Sequence, residues 1–87
     1  MEIEHILKKW EKNHGYIYLL SHDRRTFSQL KGKRFMVIIG SEVIFERQLD
    51  SQGRLYLGKR PLQAFKAGDK LTILFEDDVL IIKKATN

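Results

Sequence analysis

Two stretches of the chain alternate apolar and polar residues with a period of two, the spacing that sends successive side chains to opposite faces of a strand. In Gly15-Tyr16-Ile17-Tyr18-Leu19 the aliphatic Ile17 and Leu19 fall on one side and Tyr18 on the other, and Gly53-Arg54-Leu55-Tyr56-Leu57 repeats this with Leu55 and Leu57 against Tyr56. Longer apolar runs follow, Phe35 to Ile39 and Leu71 to Phe75, and each leads through polar or small residues to a second run, Val43-Ile44-Phe45 or Val79-Leu80-Ile81. Such pairs predict two β-hairpins, turning at Gly40-Ser41 and at Asp77-Asp78. The strand begun at Val43 is expected to continue toward Leu49. Pro61 predicts a short helix between Arg60 and Phe65, with the proline in its first turn. The start of the chain has another period. Ile3, Ile6, Leu7 and Trp10 share one helical face while Glu2, Glu4, Lys8, Lys9 and Lys12 share the other, which predicts an N-terminal amphipathic helix over residues 1–13. Its apolar face would pack on the rest of the protein, or dock a partner protein.

These segments recur in order. Gly15-Tyr16-Ile17-Tyr18-Leu19 aligns with Gly53-Arg54-Leu55-Tyr56-Leu57, and Gly32-Lys33-Arg34-Phe35-Met36-Val37-Ile38-Ile39 aligns with Gly68-Asp69-Lys70-Leu71-Thr72-Ile73-Leu74-Phe75. The spacing from Gly32 to Phe45 equals that from Gly68 to Ile81. A repeat of strand, connection and hairpin predicts a mainly β fold: a small pseudo-twofold six-stranded barrel, whose closure removes exposed strand edges, with the N-terminal helix and one short connecting helix. The expected organisation is one domain over residues 1–87, with residues 15–46 as the first half-barrel and 47–84 as the second.

Composition narrows the class. The chain has 87 residues, 43% of them hydrophobic and 31% charged, enough for one core and too few for two. With no cysteine there is no disulfide framework, thiolate metal site or cysteine nucleophile. No apolar run is long enough to span a bilayer and no signal-peptide pattern opens the chain, so a cytoplasmic location away from membranes is expected. The net charge of +5 is unevenly spread. Residues 21–34 carry an excess of four positive charges and residues 59–70 an excess of three, while residues 42–54 and 76–84 are each acidic by one. Two cationic connections brought together would attract a polyanion; kept apart, they would serve solubility.

The order Arg47-Gln48-Leu49-Asp50-Ser51-Gln52-Gly53-Arg54, then Ala67-Gly68-Asp69-Lys70-Leu71, then Asp77-Asp78-Val79-Leu80-Ile81-Ile82-Lys83-Lys84, resembles the AbrB/SpoVT-type swapped-hairpin DNA-binding domain of transcription regulators and antitoxins. That family places an arginine before a hydrophobic-aspartate pair, opens a strand with Gly-Arg, and ends with a Gly-Asp turn and a hairpin. It builds one barrel from two copies of the unit, usually from two chains, though MraZ-like members carry both in tandem. The resemblance therefore implies that this chain supplies both halves, the first keeping Arg24-Arg25-Thr26-Phe27 as a paired-arginine connection. It implies duplex DNA as the partner and points to Arg24, Arg25, Arg47 and Arg54 as contacts, with the cationic connection adding Lys59 and Arg60. The sequence departs from the pattern at Gly58, where the family has proline, and at Tyr16, where the first copy would carry arginine. A double-psi cradle-loop barrel would show the same repeat without DNA binding.

Guanidinium groups suit either phosphate bridging or bidentate reading of guanine, yet Arg47 and Arg54 could equally pair with Glu46 or Asp50 across a turn. Tyr18 and Tyr56 are candidates for base stacking or for packing. Enzymatic chemistry finds no support. His5, His14 and His22 lack metal-ligand spacing, and neither a phosphate-binding glycine loop nor a nucleophile elbow is present, so no cofactor and no metal are expected. The sequence thus predicts a DNA-binding regulator or antitoxin-like protein, with a protein-interaction module on the same scaffold as the alternative. Homodimer formation is left open.

Overall fold

The structure is a computed structural model that describes residues 1–19, 30 and 32–85. The protein is mainly β, with seven strands and two short helices among those residues in place of the six strands expected.

The additional strand lies where the sequence pattern predicted a helix. Residues Glu2–Ile6 form β1, antiparallel to the later strand β6 (Lys70–Glu76) in a register that runs from Glu2 opposite Leu74 to Ile6 opposite Lys70. The ladder is prolonged at both ends: the Phe75 amide donates to the Met1 carbonyl at 2.8 Å and the Leu7 amide to the Asp69 carbonyl at 2.9 Å. His5 and Leu7 point inward and Ile6 outward, 44% exposed, so the true period is two. A histidine in one of the inward positions masks that alternation. Only Lys9–His14 is helical (α1), and it ends at Gly15, which takes a left-handed conformation (φ 79°) and donates its amide to the Glu11 carbonyl at 2.8 Å.

Past Gly15 the chain forms β2 (Tyr16–Tyr18), paired antiparallel with β5 (Arg54–Tyr56) as a two-stranded ribbon. Ile17 lies opposite Leu55, Tyr16 opposite Tyr56 and Tyr18 opposite Arg54. Exchanging each residue with the one 38 positions away leaves this pairing unchanged. The flanking bonds obey the same exchange, since the Leu19 amide donates to the Gly53 carbonyl at 2.8 Å and the Leu57 amide to the Gly15 carbonyl at 2.9 Å. Ile17, Leu19, Leu55 and Leu57 are all buried, as their alternation predicts.

The remaining strands are two hairpins. β3 (Arg34–Ile39) turns through Gly40-Ser41 into β4 (Glu42–Gln48), and β6 turns through Asp77-Asp78 into β7 (Val79–Lys84). With β1 they make a five-stranded sheet in the order β1-β6-β7-β3-β4, in which β3 and β7 run parallel. β1 and β4 are its two edges, and closure into a barrel is not seen among the described residues. A bulge displaces the β3–β4 register between Phe35 and Val37, and Glu46 takes a positive φ of 34° there. The second connection forms α2 (Lys59–Leu62), with Pro61 within its single turn. One apolar cluster unites these pieces, joining Leu7 of the N-terminal segment, Ile17 and Leu55 of the ribbon, Leu62 beside it and Phe35, Ile73 and Ile82 of the sheet.

Candidate nucleic-acid interface

With the aliphatic side of the ribbon buried, strand alternation forces its other side outward. That side carries Tyr16, Tyr18, Arg54 and Tyr56. Helix α1 adds Trp10 and His14, four residues apart and hence on one helical face. The rings form a connected group: Trp10 lies 5.8 Å from Tyr16 and 6.1 Å from Tyr18, His14 lies 5.8 Å from Tyr16, and Tyr16 lies 5.0 Å from Tyr56, measured between centroids. The Arg54 guanidinium stands 5.9 Å from the Tyr16 ring and 5.5 Å from the Tyr56 ring, within cation–π range of both.

Two carboxylates hold this surface from behind. Asp50 precedes β5 by one tight turn and accepts through Oδ1 from the Gln52 and Arg54 amides at 2.9 and 2.8 Å, an Asx arrangement. Its Oδ2 accepts from Arg54 Nε at 2.8 Å. Partial burial pushes the Asp50 carboxyl up, but the Arg54 amide, the Arg54 guanidinium and the Gln52 amide outweigh it and hold the group below its usual range. The bond to Asp50 in turn raises Arg54 above its ordinary value. Arg54 is therefore charged and oriented, while its terminal nitrogens make no hydrogen bond to other described residues.

Glu11 is the second anchor and is wholly buried. Its Oε1 accepts the Lys8 amide at 2.7 Å, and its Oε2 accepts the Tyr18 amide at 2.7 Å and lies 2.8 Å from His5 Nε2. Burial pushes the carboxyl up; the His5 bond, followed by the Tyr18 and Lys8 amides, more than compensates and leaves it below the usual carboxylate range. Because a carboxylate can only accept, the proton of this contact sits on His5 Nε2. One side chain thus ties β1, α1 and β2 together and sets where Trp10 stands over the ribbon. Lys12 fixes the far side of α1, donating from Nζ to the Phe65 carbonyl at 2.6 Å.

The start of α2 adjoins the same surface. The Gly58 amide donates to the Gly15 carbonyl at 2.9 Å, and a Cβ on Gly15 would come within 2.9 Å of the Lys59 nitrogen. The exposed Lys59 and Arg60 therefore begin where α1 meets β2. Of the residues singled out in the sequence, the structure brings Arg54, Lys59 and Arg60 to one region. Arg47 lies on β4 opposite Phe35, with its Nη1 donating to the Glu46 carbonyl at 3.1 Å. Arg24 and Arg25 lie outside the described residues. Of the two pairings open to the arginines, Arg54 does engage Asp50. His5 bonds Glu11, His14 faces the Trp10 carbonyl at 2.7 Å, and no group of three or more His, Asp or Glu suited to a metal occurs among the described residues. Among the same residues no helix is long and apolar enough to cross a membrane.

Sequence reasoning placed Trp10 on a core-facing helix; instead it is 44% exposed on the ribbon. The available signal was the pairing of Trp10 and His14 on one helical face, followed by tyrosines at alternate strand positions. Comparison of the chain with protein-family models, with curated proteins and with solved structures gives no match.

Proposed function

We propose that this chain is a non-enzymatic DNA-binding module, a transcription regulator or antitoxin-like protein of the AbrB/SpoVT kind, whose single chain forms a pseudo-twofold swapped-hairpin barrel. Duplex DNA is the ligand and the outer ribbon face, with the start of α2, is the contact surface. The observation that carries this reading is Arg54, which Asp50 holds by Nε while its terminal nitrogens stay unbonded to other described residues. A guanidinium fixed in that way suits a bidentate acceptor, either a phosphate or a guanine edge, and Lys59 and Arg60 extend the positive field. Arg47, Arg24 and Arg25 are further contacts in this reading.

Anisotropy titration of a labelled duplex tests it. If Arg54, Lys59 and Arg60 neutralise about three phosphates, affinity falls ~40-fold between about 50 and about 200 mM salt, because the counterions that binding displaces gain less entropy in the saltier solution. Arg54→Ala should weaken binding by about tenfold, the size expected for one charge-assisted contact, in a protein that remains folded though less stable for want of the bond to Asp50. Absence of binding at the lower salt would reject the function, and an unaffected Arg54→Ala protein would reject the site.

The alternative, a protein-interaction module, rests on a different surface. Leu74, Ile81, Ile38 and Val43 lie side by side across β6, β7, β3 and β4 on the side of the sheet away from the core. Of the N-terminal segment, Leu7 is part of the core and β1 part of the sheet, which leaves α1 as the element a partner would meet.

A further inference from the structure

We propose that the ring cluster of Trp10, Tyr16, Tyr18 and Tyr56 is a stacking site for unpaired bases, so that the ribbon face holds a single-stranded stretch of nucleic acid. This deepens the nucleic-acid reading above and rests on it.

The rings are not required to hold the helix. Glu11 and Lys12 already fasten α1 to β1, β2 and the segment after α2 through hydrogen bonds, and Leu7 just before it supplies apolar contact. Rings serving only as packing would also be covered. Trp10 and Tyr56 instead remain 44% and 45% exposed. Trp10 meets Tyr16 edge to face at 62°, and the Trp10–Tyr18 and Tyr16–Tyr56 pairs are tilted by 60°, so that no two of these rings lie stacked face to face. Aromatic faces of this kind take bases irrespective of sequence, whereas a duplex keeps its bases stacked on one another and offers none.

Charge selects among the ligands that aromatic surfaces favour. A quaternary ammonium group or methylated lysine needs the cation position above a ring, and the Arg54 guanidinium already stands over Tyr16 and Tyr56. The neighbouring Lys59 and Arg60 repel such ligands and attract phosphates. A ligand with alternating flat bases and anionic links satisfies both features.

The only tryptophan of the chain belongs to the cluster, so its emission reports directly on stacking. The full-length protein is titrated with a short single-stranded DNA, with an abasic strand of the same length and with a blunt duplex, and each is also measured by anisotropy. The single strand should quench Trp10 and bind about tenfold more tightly than the abasic strand, the scale of one stacked base. Tyr56→Leu, at an exposed position, should lose that advantage while the protein stays folded, as circular dichroism and urea unfolding report; Trp10→Leu, followed by anisotropy, should do likewise. Equal binding of the abasic and base-bearing strands, or an unchanged advantage in both variants, overturns the stacking site. Binding of the duplex without the single strand withdraws this inference and leaves the proposed function standing. Quenching by the single strand with no duplex binding does the reverse, and binding of neither polymer ends both. Quenching by an uncharged proline-rich peptide, with no response to single-stranded DNA, would assign the rings to a protein ligand and overturn the inference.

Discussion

Two surfaces of this protein arise from the same strand alternation and differ in everything that follows. On the ribbon, the residues turned outward are rings and an arginine, and two carboxylates steady them from beneath: Asp50 holds the Arg54 side chain, and Glu11 holds the Tyr18 backbone and α1. On the five-stranded sheet, the outward row of Leu74, Ile81, Ile38 and Val43 is aliphatic, with neighbours on adjacent strands and no directed polar contact of its own side chains. Outward position alone therefore does not make a site. What distinguishes the ribbon is that burial costs have been accepted nearby to fix its geometry, since a fully buried carboxylate is expensive unless its acceptors are filled. The sheet row requires only β-branched and aliphatic shapes that suit a pleated surface.

The strongest test of this contrast is to remove the anchor rather than the surface. Glu11→Leu leaves the Lys8 and Tyr18 amides and the His5 N–H without their acceptor in a buried place, and a loss of about 3 to 4 kcal/mol in urea unfolding is expected. Glu11→Gln keeps one acceptor oxygen and should lose less. Because the folded Glu11 carboxyl lies below its usual value, its contribution is complete above the ordinary carboxylate value of about 4.3 and is lost as pH falls through the folded value. Acid sensitivity in that window should shrink in Glu11→Gln. A Glu11→Leu protein as stable as the parent would show that the ribbon is not held from below, and the contrast would collapse.

A second test addresses where the helices meet the ribbon. Gly15 sits at φ 79°, and an added Cβ would approach the Lys59 nitrogen at 2.9 Å and the Gly58 carbonyl carbon at 3.0 Å, both backbone atoms that cannot rotate away. Gly40 also has a positive φ, 60°, but a Cβ there meets nothing within 4 Å. Gly15→Ala should therefore cost about 2 to 3 kcal/mol, strain plus displacement, against about 1 kcal/mol for Gly40→Ala, where only the conformational penalty applies. Equal losses in thermal unfolding would mean the ribbon and α2 can move apart freely, and the Lys59 backbone would no longer be fixed against Gly15.

Much of this architecture is legible in the residues, and the failures have physical causes. Period-two alternation locates β2 and β5, and turn residues locate both hairpins, because each of these depends on neighbours in sequence. β1 was hidden since its inward position is filled by His5, a polar residue that bonds Glu11, a partner that chain folding brings near. Trp10 was misplaced for the same reason: once residues 2–6 become a strand, the helical face that seemed to continue from Ile3 no longer exists. The repeat suggested that two basic connections share a face. The described residues bring the second one to the ribbon, whereas Arg24 and Arg25 of the first lie outside them.

The smallest expected effect lies on the other surface and sharpens the contrast from that side. Ile38 is half-buried in the middle of the aliphatic row, with Ile81 and Val43 beside it on the neighbouring strands. Ile38→Thr keeps the β-branch and the strand preference and loses only part of the cross-strand contact, so unfolding should shift by about 0.5 kcal/mol. Nucleic-acid affinity should stay the same, because no ribbon residue is touched and the net charge is unchanged. Sedimentation of both proteins completes the measurement. Identical profiles keep the row as sheet packing turned to solvent, while a parent that associates and a variant that does not would make it a protein contact, lending the sheet face a function that its lack of polar anchoring argues against.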